Sequence, residues 1–308
     1  ERSFESGYHA PVMVAEVVAA LSHARSVLAC TLGGGGHALA VLEHGKTVTG
    51  LDRDRDALAA ASDRLQRFSE DERFSAVGGD FTRLSEVREV HGRHFDGVLA
   101  DLGVSSWQLD ADERGFSFRQ GVILDMRMSG DGRTAADLLN DGTLQELEQT
   151  FREYGDEPRG RRLASEVARR RERRPFQVSD DFVDAIRGAL GASTGPGDFA
   201  RLFQALRIRV NDELAGLERA LPELRDRLNV GGVMVVIAYH SGEDRLVKHA
   251  MRDWSTACHC PPRQPICICG GVARGISVTR KAVRADAQEI ALNPRSRSAR
   301  MRVWRKNG

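Results

Sequence analysis

The segment that most restricts the fold is Gly33-Gly34-Gly35-Gly36-His37-Ala38, which follows a short apolar run, Ser26–Cys30, and opens an amphipathic stretch at His37. Glycines at such a junction let the backbone approach a ligand closely, and a helix start offers unpaired N–H groups. Gly33, Gly35 and Ala38 satisfy the G-x-G-x-x-G/A spacing of dinucleotide loops, with Asp52 one strand further on. A plain tight turn uses the same glycines, so the spacing needs its surroundings. Thr47–Asp52, Phe74–Val77 and Phe95–Leu102 read as three more buried strands, with a helical Asp56–Phe68 among them. Strand–helix alternation of this kind predicts an α/β fold with a doubly wound parallel sheet, and ligands at the carboxyl ends of its strands.

Those strand ends carry acids. Asp52 ends the second strand, where a carboxylate can bind both hydroxyls of a ribose. Asp80-Phe81 follows the third, where an acid or backbone group can meet adenine while an aromatic covers its face. Asp101 ends the fourth, beside the expected reaction centre. A nicotinamide dinucleotide and S-adenosyl-L-methionine both suit such a pattern. The dinucleotide needs phosphate binding; S-adenosylmethionine has no phosphate and carries a sulfonium cation. Acids at Asp80 and Asp101, with no Lys or Arg within the glycine loop itself, favour the sulfonium ligand. Asp101-Leu102-Gly103-Val104 also stands where amino-methyltransferases place a short acid-led motif against the amine to be methylated.

The rhythm breaks after residue 106. From there to about 200, helical spacing recurs at Thr134–Leu139, Leu144–Glu153 and Leu163–Arg171 without a convincing buried strand, and Gly191–Gly197 reads as a loop. Alternation returns with a predicted long helix over Phe203–Leu228, a strand at Val233–Tyr239 and a last strand at Arg300–Trp304. The expectation is one discontinuous α/β domain (1–106 and 203–308) interrupted by a mostly helical insertion (107–202). With 45 Lys+Arg against 44 Asp+Glu the net charge is +1, which argues against an indiscriminate polyanion binder. The average conceals clustering: eight arginines lie between Arg159 and Arg174, and Asn293–Lys306 carries five arginines and a lysine without an acid. No apolar run reaches the ~20 residues of a membrane helix, and no basic-then-apolar leader precedes Met13. A cytoplasmic protein with no membrane partner, monomeric or homodimeric, is expected.

At this point longer motifs match. The chain resembles the bacterial RsmH (MraW) family, which methylates N4 of a cytidine in the decoding region of 16S, small-subunit ribosomal RNA. The resemblance runs from YHAPVM at Tyr8–Met13 to NPRSRSARMRV at Asn293–Val303. Between these lie TLGGGGH (Thr31–His37), DLGVSSWQLD (Asp101–Asp110), RGFSF (Arg114–Phe118), LDMRM (Leu124–Met128), FQALRI-x-VNDEL (Phe203–Leu214) and YHS-x-EDR-x-VK (Tyr239–Lys248). It implies a class I S-adenosylmethionine-dependent methyltransferase, a Rossmann-like doubly wound sheet, with a helical insertion serving RNA recognition. It implies cofactor contacts at Gly35, Gly36, His37, Asp52, Phe81, Asp101 and Gln108, beside Gly33 and Asp80 from the strand-end pattern. The chain departs from the family at Ala29, where an acid is usual, at Gly121-Val122-Ile123, at Gly197-Asp198-Phe199 and at Gly242, where a leucine is usual.

For such a reaction Asp101 is the expected catalytic acceptor of a hydrogen bond from the amine. His240, at the end of another strand, is placed to orient the base, against the alternative of a buried structural histidine. Trp107 and Phe118 are candidates to stack on an unstacked cytidine, with a core role as the alternative. Arg207, Arg295, Arg297 and Arg300 are candidate phosphate contacts, unless Glu213, Glu243 or Asp244 pair with them internally. Cys258, Cys260, Cys267 and Cys269 form C-x-C-x6-C-x-C, a possible four-thiolate Zn2+ site with tighter spacing than the common C-x2-C knuckle. Cys30 is expected in the core. The readings from other classes are a non-catalytic RNA-binding or ribosome-assembly factor on the same fold, and an NAD-dependent oxidoreductase.

Overall fold

The computed structural model describes residues 11–258, 260, 261, 266 and 268–308. Its chain divides into two compact units, Glu1–Gly103 with Leu214–Gly308, and Val104–Glu213. The first unit holds a seven-stranded sheet of β1 (Ser26–Ala29), β2 (Thr47–Asp52), β3 (Phe74–Gly78), β4 (Phe95–Asp101), β5 (Leu228–Ala238), β6 (Gly275–Ser277) and β7 (Arg300–Lys306). Its order is β3-β2-β1-β4-β5-β7-β6. The first five strands are parallel; β7 runs antiparallel to both β5 and β6. This is a doubly wound sheet, with the reversal of strand order between β1 and β4.

Strand periodicity explains why both faces are covered. Val27 and Ala29, Leu99, Val235 and Ile237 face one apolar cluster, while Leu28 and Cys30, Val98 and Ala100, Met234 and Val236 face the other. Alternate side chains point to opposite faces, so a strand apolar at every position is buried on both. Each fully buried Val, Leu or Ile contributes about 1.5–3 kcal/mol relative to exposure. Burial pushes the Cys30 thiol well above its ordinary value, which keeps it protonated and inert.

The second unit is helical, with its own core of Leu138, Leu147, Phe151, Phe182, Phe203 and their neighbours. Phe151 stacks on Phe182 at 5.7 Å between ring centroids. Three local readings change. The single helix expected over Phe203–Leu228 is two, Pro196–Val210 and Glu213–Asp226. Asn211 separates them: its Oδ1 accepts the Met128 N–H and its Nδ2 donates to the Met126 and Arg207 carbonyls, while Asp212 takes a left-handed conformation (φ 50°). The Gly191–Gly197 stretch is only partly loop, because Pro196 begins a helix whose first turn tolerates a residue without N–H. The helix Ser179–Leu190 was not anticipated. As a result Phe203–Val210 belong to the helical unit, and the sheet unit resumes at Leu214. No helix among the described residues is long and apolar enough to cross a membrane.

Candidate active site

The ends of β1, β2, β3 and β4 gather the acids with the glycine loop. The loop leaves β1 at Thr31 and enters the helix Gly36–Glu43 through Gly35, which has φ +76°. A side chain at Gly35 would also press on Leu65 Cδ1 at 3.1 Å and Ala61 Cβ at 3.3 Å, so glycine is required there for conformation and for space. Asp52 pins the loop: its Oδ2 accepts the Gly33 N–H at 2.8 Å and its Oδ1 accepts the Asp54 N–H at 2.9 Å. Burial nevertheless pushes the Asp52 carboxyl above its ordinary range, outweighing both backbone bonds. Two N–H partners use about half of a carboxylate's four acceptor sites. The remaining capacity fits a pair of ribose hydroxyls.

Asp80 is differently employed. Its Oδ1 accepts both the N–H and the hydroxyl of Thr82 at 2.8 Å, and its Oδ2 pairs with Arg53 at 3.3 Å. The Asp80 side chain thereby caps the short helix Phe81–Glu86. Phe81, the first residue of that helix, packs half-buried against the second apolar cluster. Arg64, on the helix Arg55–Arg64, donates to the Gly34 carbonyl of the loop at 3.2 Å.

Asp101 has the most elaborate surroundings. Its backbone N–H donates to Thr31 Oγ1 at 2.8 Å, tying β4 to the start of the glycine loop. Its Oδ1 accepts the Tyr239 hydroxyl at 2.9 Å, and its Oδ2 lies 3.5 Å from His37 Nδ1. The Asp101 side chain is only 9% exposed. His37 Nε2 is 2.8 Å from the Val12 carbonyl. A carbonyl only accepts, so Nε2 carries a hydrogen, and Nδ1 carries another only in the imidazolium. Burial, followed by the charge and hydrogen bond of Asp101, pushes the Tyr239 phenol well above its ordinary value. Tyr239 is thus a fixed donor and Asp101 an acceptor. Sequence reasoning missed Tyr239 and Thr31; the signal for Tyr239 was its place as the last residue of the predicted strand, beside His240.

His240 starts the helix Ser241–Trp254, where Glu243 Oε2 accepts the Tyr239 and His240 N–H groups at 2.8 and 3.3 Å. The His240 ring lies with Nε2 3.3 Å from the buried Glu243 Oε1, in a geometry too poor for a hydrogen bond. A side chain at Gly242 would meet that ring at 3.1 Å. Ala29 is buried in β1, so at this position the protein supplies no acid.

Gln108 belongs to the helical unit. There it closes a capping box with Ser105, accepting the Ser105 N–H at 3.0 Å while its own N–H donates to Ser105 Oγ at 3.1 Å. In the same unit Phe118 stands edge-on to Phe199 and Phe203, at 6.1 and 6.0 Å, in a core setting. The Arg114 guanidinium covers the Trp107 ring at 5.3 Å.

The arginines separate into two groups. Arg207 makes a two-pronged bond to Glu213, both at 2.8 Å, and Arg300 pairs with Asp244 at 3.4 Å beside a tighter Arg302–Asp244 pair at 2.6 Å. Arg207 and Arg300 thus have the internal carboxylate partners that the sequence offered as the alternative to phosphate. Arg295 and Arg297 lie exposed on the short helix Pro294–Ser298. In the helical unit, Arg169, Arg170, Arg173 and Arg174 line a surface groove of about 350 Å³ with Phe176, Asp181 and Asp184.

A glycine loop beneath an acid-rimmed sheet edge is shared by many nucleotide-binding proteins; the family is decided by the whole chain. Residues 6–307 match the MraW methylase family. The chain belongs to the MraW methylase family. A relative from Gemmatimonas aurantiaca, described as ribosomal RNA small subunit methyltransferase H, is 55% identical over 99% of this chain and 98% of its own length. Relatives of the same description from Pelobacter propionicus and Heliobacterium mobile are 45% and 42% identical, each over 97% of this chain and over 98% and 99% of their own lengths. As a MraW methylase, the chain has the strand-end acids and the Tyr239–Asp101–His37 cluster inside a methyl-transferring fold.

Proposed function

We propose that the protein is an S-adenosylmethionine-dependent methyltransferase of small-subunit (16S) ribosomal RNA, acting on N4 of a cytidine in the decoding region. The observation that carries the reading is the buried Asp101 carboxylate, braced by a tyrosine that cannot ionise at neutral pH, at the end of β4 beside the glycine loop. S-adenosylmethionine, held by the glycine loop and Asp52, would supply an electrophilic methyl group with a thioether as its leaving group.

The protein's part is positioning. Gly33 to Gly36 and Asp52 hold the nucleoside end, with Asp52 on the ribose and Phe81 against adenine. Asp101 accepts a hydrogen bond from the exocyclic amine, which aligns the nitrogen lone pair for in-line attack. The amine gains the methyl carbon and then loses a proton, for which Asp101 is the acceptor within reach. Tyr239 and His37 keep that carboxylate in one rotamer, and His240 orients the base. The helical unit, with its arginine-lined groove, and exposed Arg295 and Arg297 serve RNA phosphates. Gln108 contacts the cofactor, and Trp107 or Phe118 stacks on the unstacked base.

The deciding experiment incubates the purified chain with labelled S-adenosylmethionine and unmodified small ribosomal subunits, followed by nucleoside analysis. Label in N4-methylcytidine, lost in Asp101→Asn, is expected. Label in another nucleoside overturns the target. Subunit binding without turnover supports the assembly-factor reading, and tight NAD binding without S-adenosylmethionine binding supports the oxidoreductase.

A further inference from the structure

Between the helix Ser241–Trp254 and β6 the chain makes an excursion, residues 255–274, that the methyl-transfer site does not use. Its base is secured: the Arg274 N–H donates to the Trp254 carbonyl at 2.8 Å, and Ser255 Oγ accepts from Trp304 Nε1 at 3.1 Å. Above the base, none of the described residues is buried, and Ile266, Ile268 and Val272 are 75%, 76% and 83% exposed. Apolar burial among the described residues therefore contributes almost nothing to ordering this segment, while each residue fixed costs about 1–2 kcal/mol of backbone entropy. The two limbs nevertheless come together. A Cβ at Gly271 would run into the Ala257 carbonyl, so the limbs meet where only glycine allows it.

What lies at the meeting point is sulfur. The Sγ atoms of Cys258, Cys260 and Cys269 are all within 4.8 Å of one another, and those of Cys258 and Cys269 are 3.9 Å apart. A disulfide needs about 2.05 Å. Thiolates bound to one Zn2+ at about 2.3 Å in a tetrahedron stand about 3.8 Å apart. We propose that Cys258, Cys260 and Cys269 bind a structural zinc ion that clamps the two limbs of this segment. Cys267, which completes C-x-C-x6-C-x-C in the sequence, lies outside the described residues. Ion binding replaces the missing core: deprotonation of the thiols releases protons, and the binding free energy becomes folding free energy for the segment. The proposal does not rest on the methyl-transfer reading, because none of these cysteines belongs to that site.

The test uses the full chain, purified under reducing conditions without chelator. Elemental analysis is expected to find about one zinc per chain, falling below about a tenth in a Cys258→Ser/Cys269→Ser double variant. That variant is expected to keep its thermal transition for the sheet unit and to become sensitive to protease between Trp254 and Gly275. Cobalt added to the metal-stripped native chain should produce the thiolate charge-transfer band and intense visible bands of tetrahedral sulfur ligation, a readout that does not depend on any variant folding. Zinc-free native protein from zinc-supplemented cells, zinc content unchanged in the double variant, absence of those cobalt bands, or a Cys–Cys disulfide in the reduced preparation would each overturn the proposal.

Discussion

Replacing Tyr239 with Phe removes one oxygen and keeps the ring, so the packing of the end of β5 is preserved. What is lost is a 2.9 Å hydrogen bond from a neutral hydroxyl to a carboxylate whose side chain is 9% exposed. A hydrogen bond to a charged group contributes about 1.5–3 kcal/mol, which corresponds to about 10- to 100-fold in rate if the braced rotamer is needed only at the transition state. Little water reaches this carboxylate to substitute for the phenol. The assay is single-turnover methylation of small subunits at saturating S-adenosylmethionine, with the cofactor dissociation constant measured separately by calorimetry. Tyr239→Phe is expected to lower the turnover constant by one to two orders of magnitude with a smaller change in cofactor affinity. In an Asp101→Asn background the same substitution should have less than about a threefold effect, because residues acting through one contact are not additive. A purely structural tyrosine would lower the melting temperature and leave turnover alone. Turnover within about twofold of the native value, or an equal loss in both backgrounds, would refute the positioning role.

Three more expectations follow from the geometry. Removing exposed Arg295 and Arg297 together should reduce the salt slope of RNA binding by about 1–2, while Arg207→Ala should leave the slope unchanged and destabilise the fold by about 3 kcal/mol, because Glu213 then lies buried without its partner. Gly35→Ala should cost about 1–2 kcal/mol of stability, read by denaturant titration, through its left-handed backbone and contact with Leu65, and should weaken cofactor binding; unchanged binding would remove the loop from the cofactor site. Asp52 and Asp244 should show opposite pH signatures. The Asp52 carboxyl is raised by burial, so its contribution is fully present below its unfolded value and lost as pH rises through the folded one. At Asp244 burial also pushes upward, but the hydrogen bonds and charges of Arg302 and Arg300 outweigh it and hold the carboxyl low, so its contribution is present above the unfolded value and lost on acidification. Melting curves should therefore show the native advantage over Asp52→Asn shrinking as pH rises above the ordinary carboxylate range, and that over Asp244→Asn shrinking as pH falls below it.

The sheet was readable because each strand is a short apolar run closed by an acid or a glycine, and that pattern survives any packing detail. Helix boundaries were less readable where a side chain, not a backbone propensity, ends the element. Asn211 divides two helices by bonding to Met126 and Met128, residues more than eighty positions earlier, which no local window contains. The same limit applies to the site. Asp52 and Asp101 could be placed from strand ends alone, whereas the capping duty of Asp80, the reach of Arg64 to Gly34 and the partnership of Tyr239 with Asp101 depend on side-chain direction across separate elements. The arginines were legible as a charge surplus; which of them answer to internal carboxylates was visible only once Glu213 and Asp244 had been brought beside them.

The pairing of β4 with β5, with Val98 opposite Met234, joins strands roughly 130 residues apart along the chain, because the whole helical unit is spliced between them. During synthesis β1 to β4 emerge long before their next neighbour exists. The nascent half-sheet then presents β4 as an open edge rich in Val, Leu and Ala, the kind of edge that recruits stray strands. At roughly 5–20 residues per second, ribosomal elongation leaves that edge uncovered for about 7–26 seconds. A helical insert that collapses on its own core shortens the effective loop to be closed, and so reduces the entropic delay before β5 can dock. Folding yield should accordingly respond to mutations that destabilise the insert even when they touch no residue of the sheet.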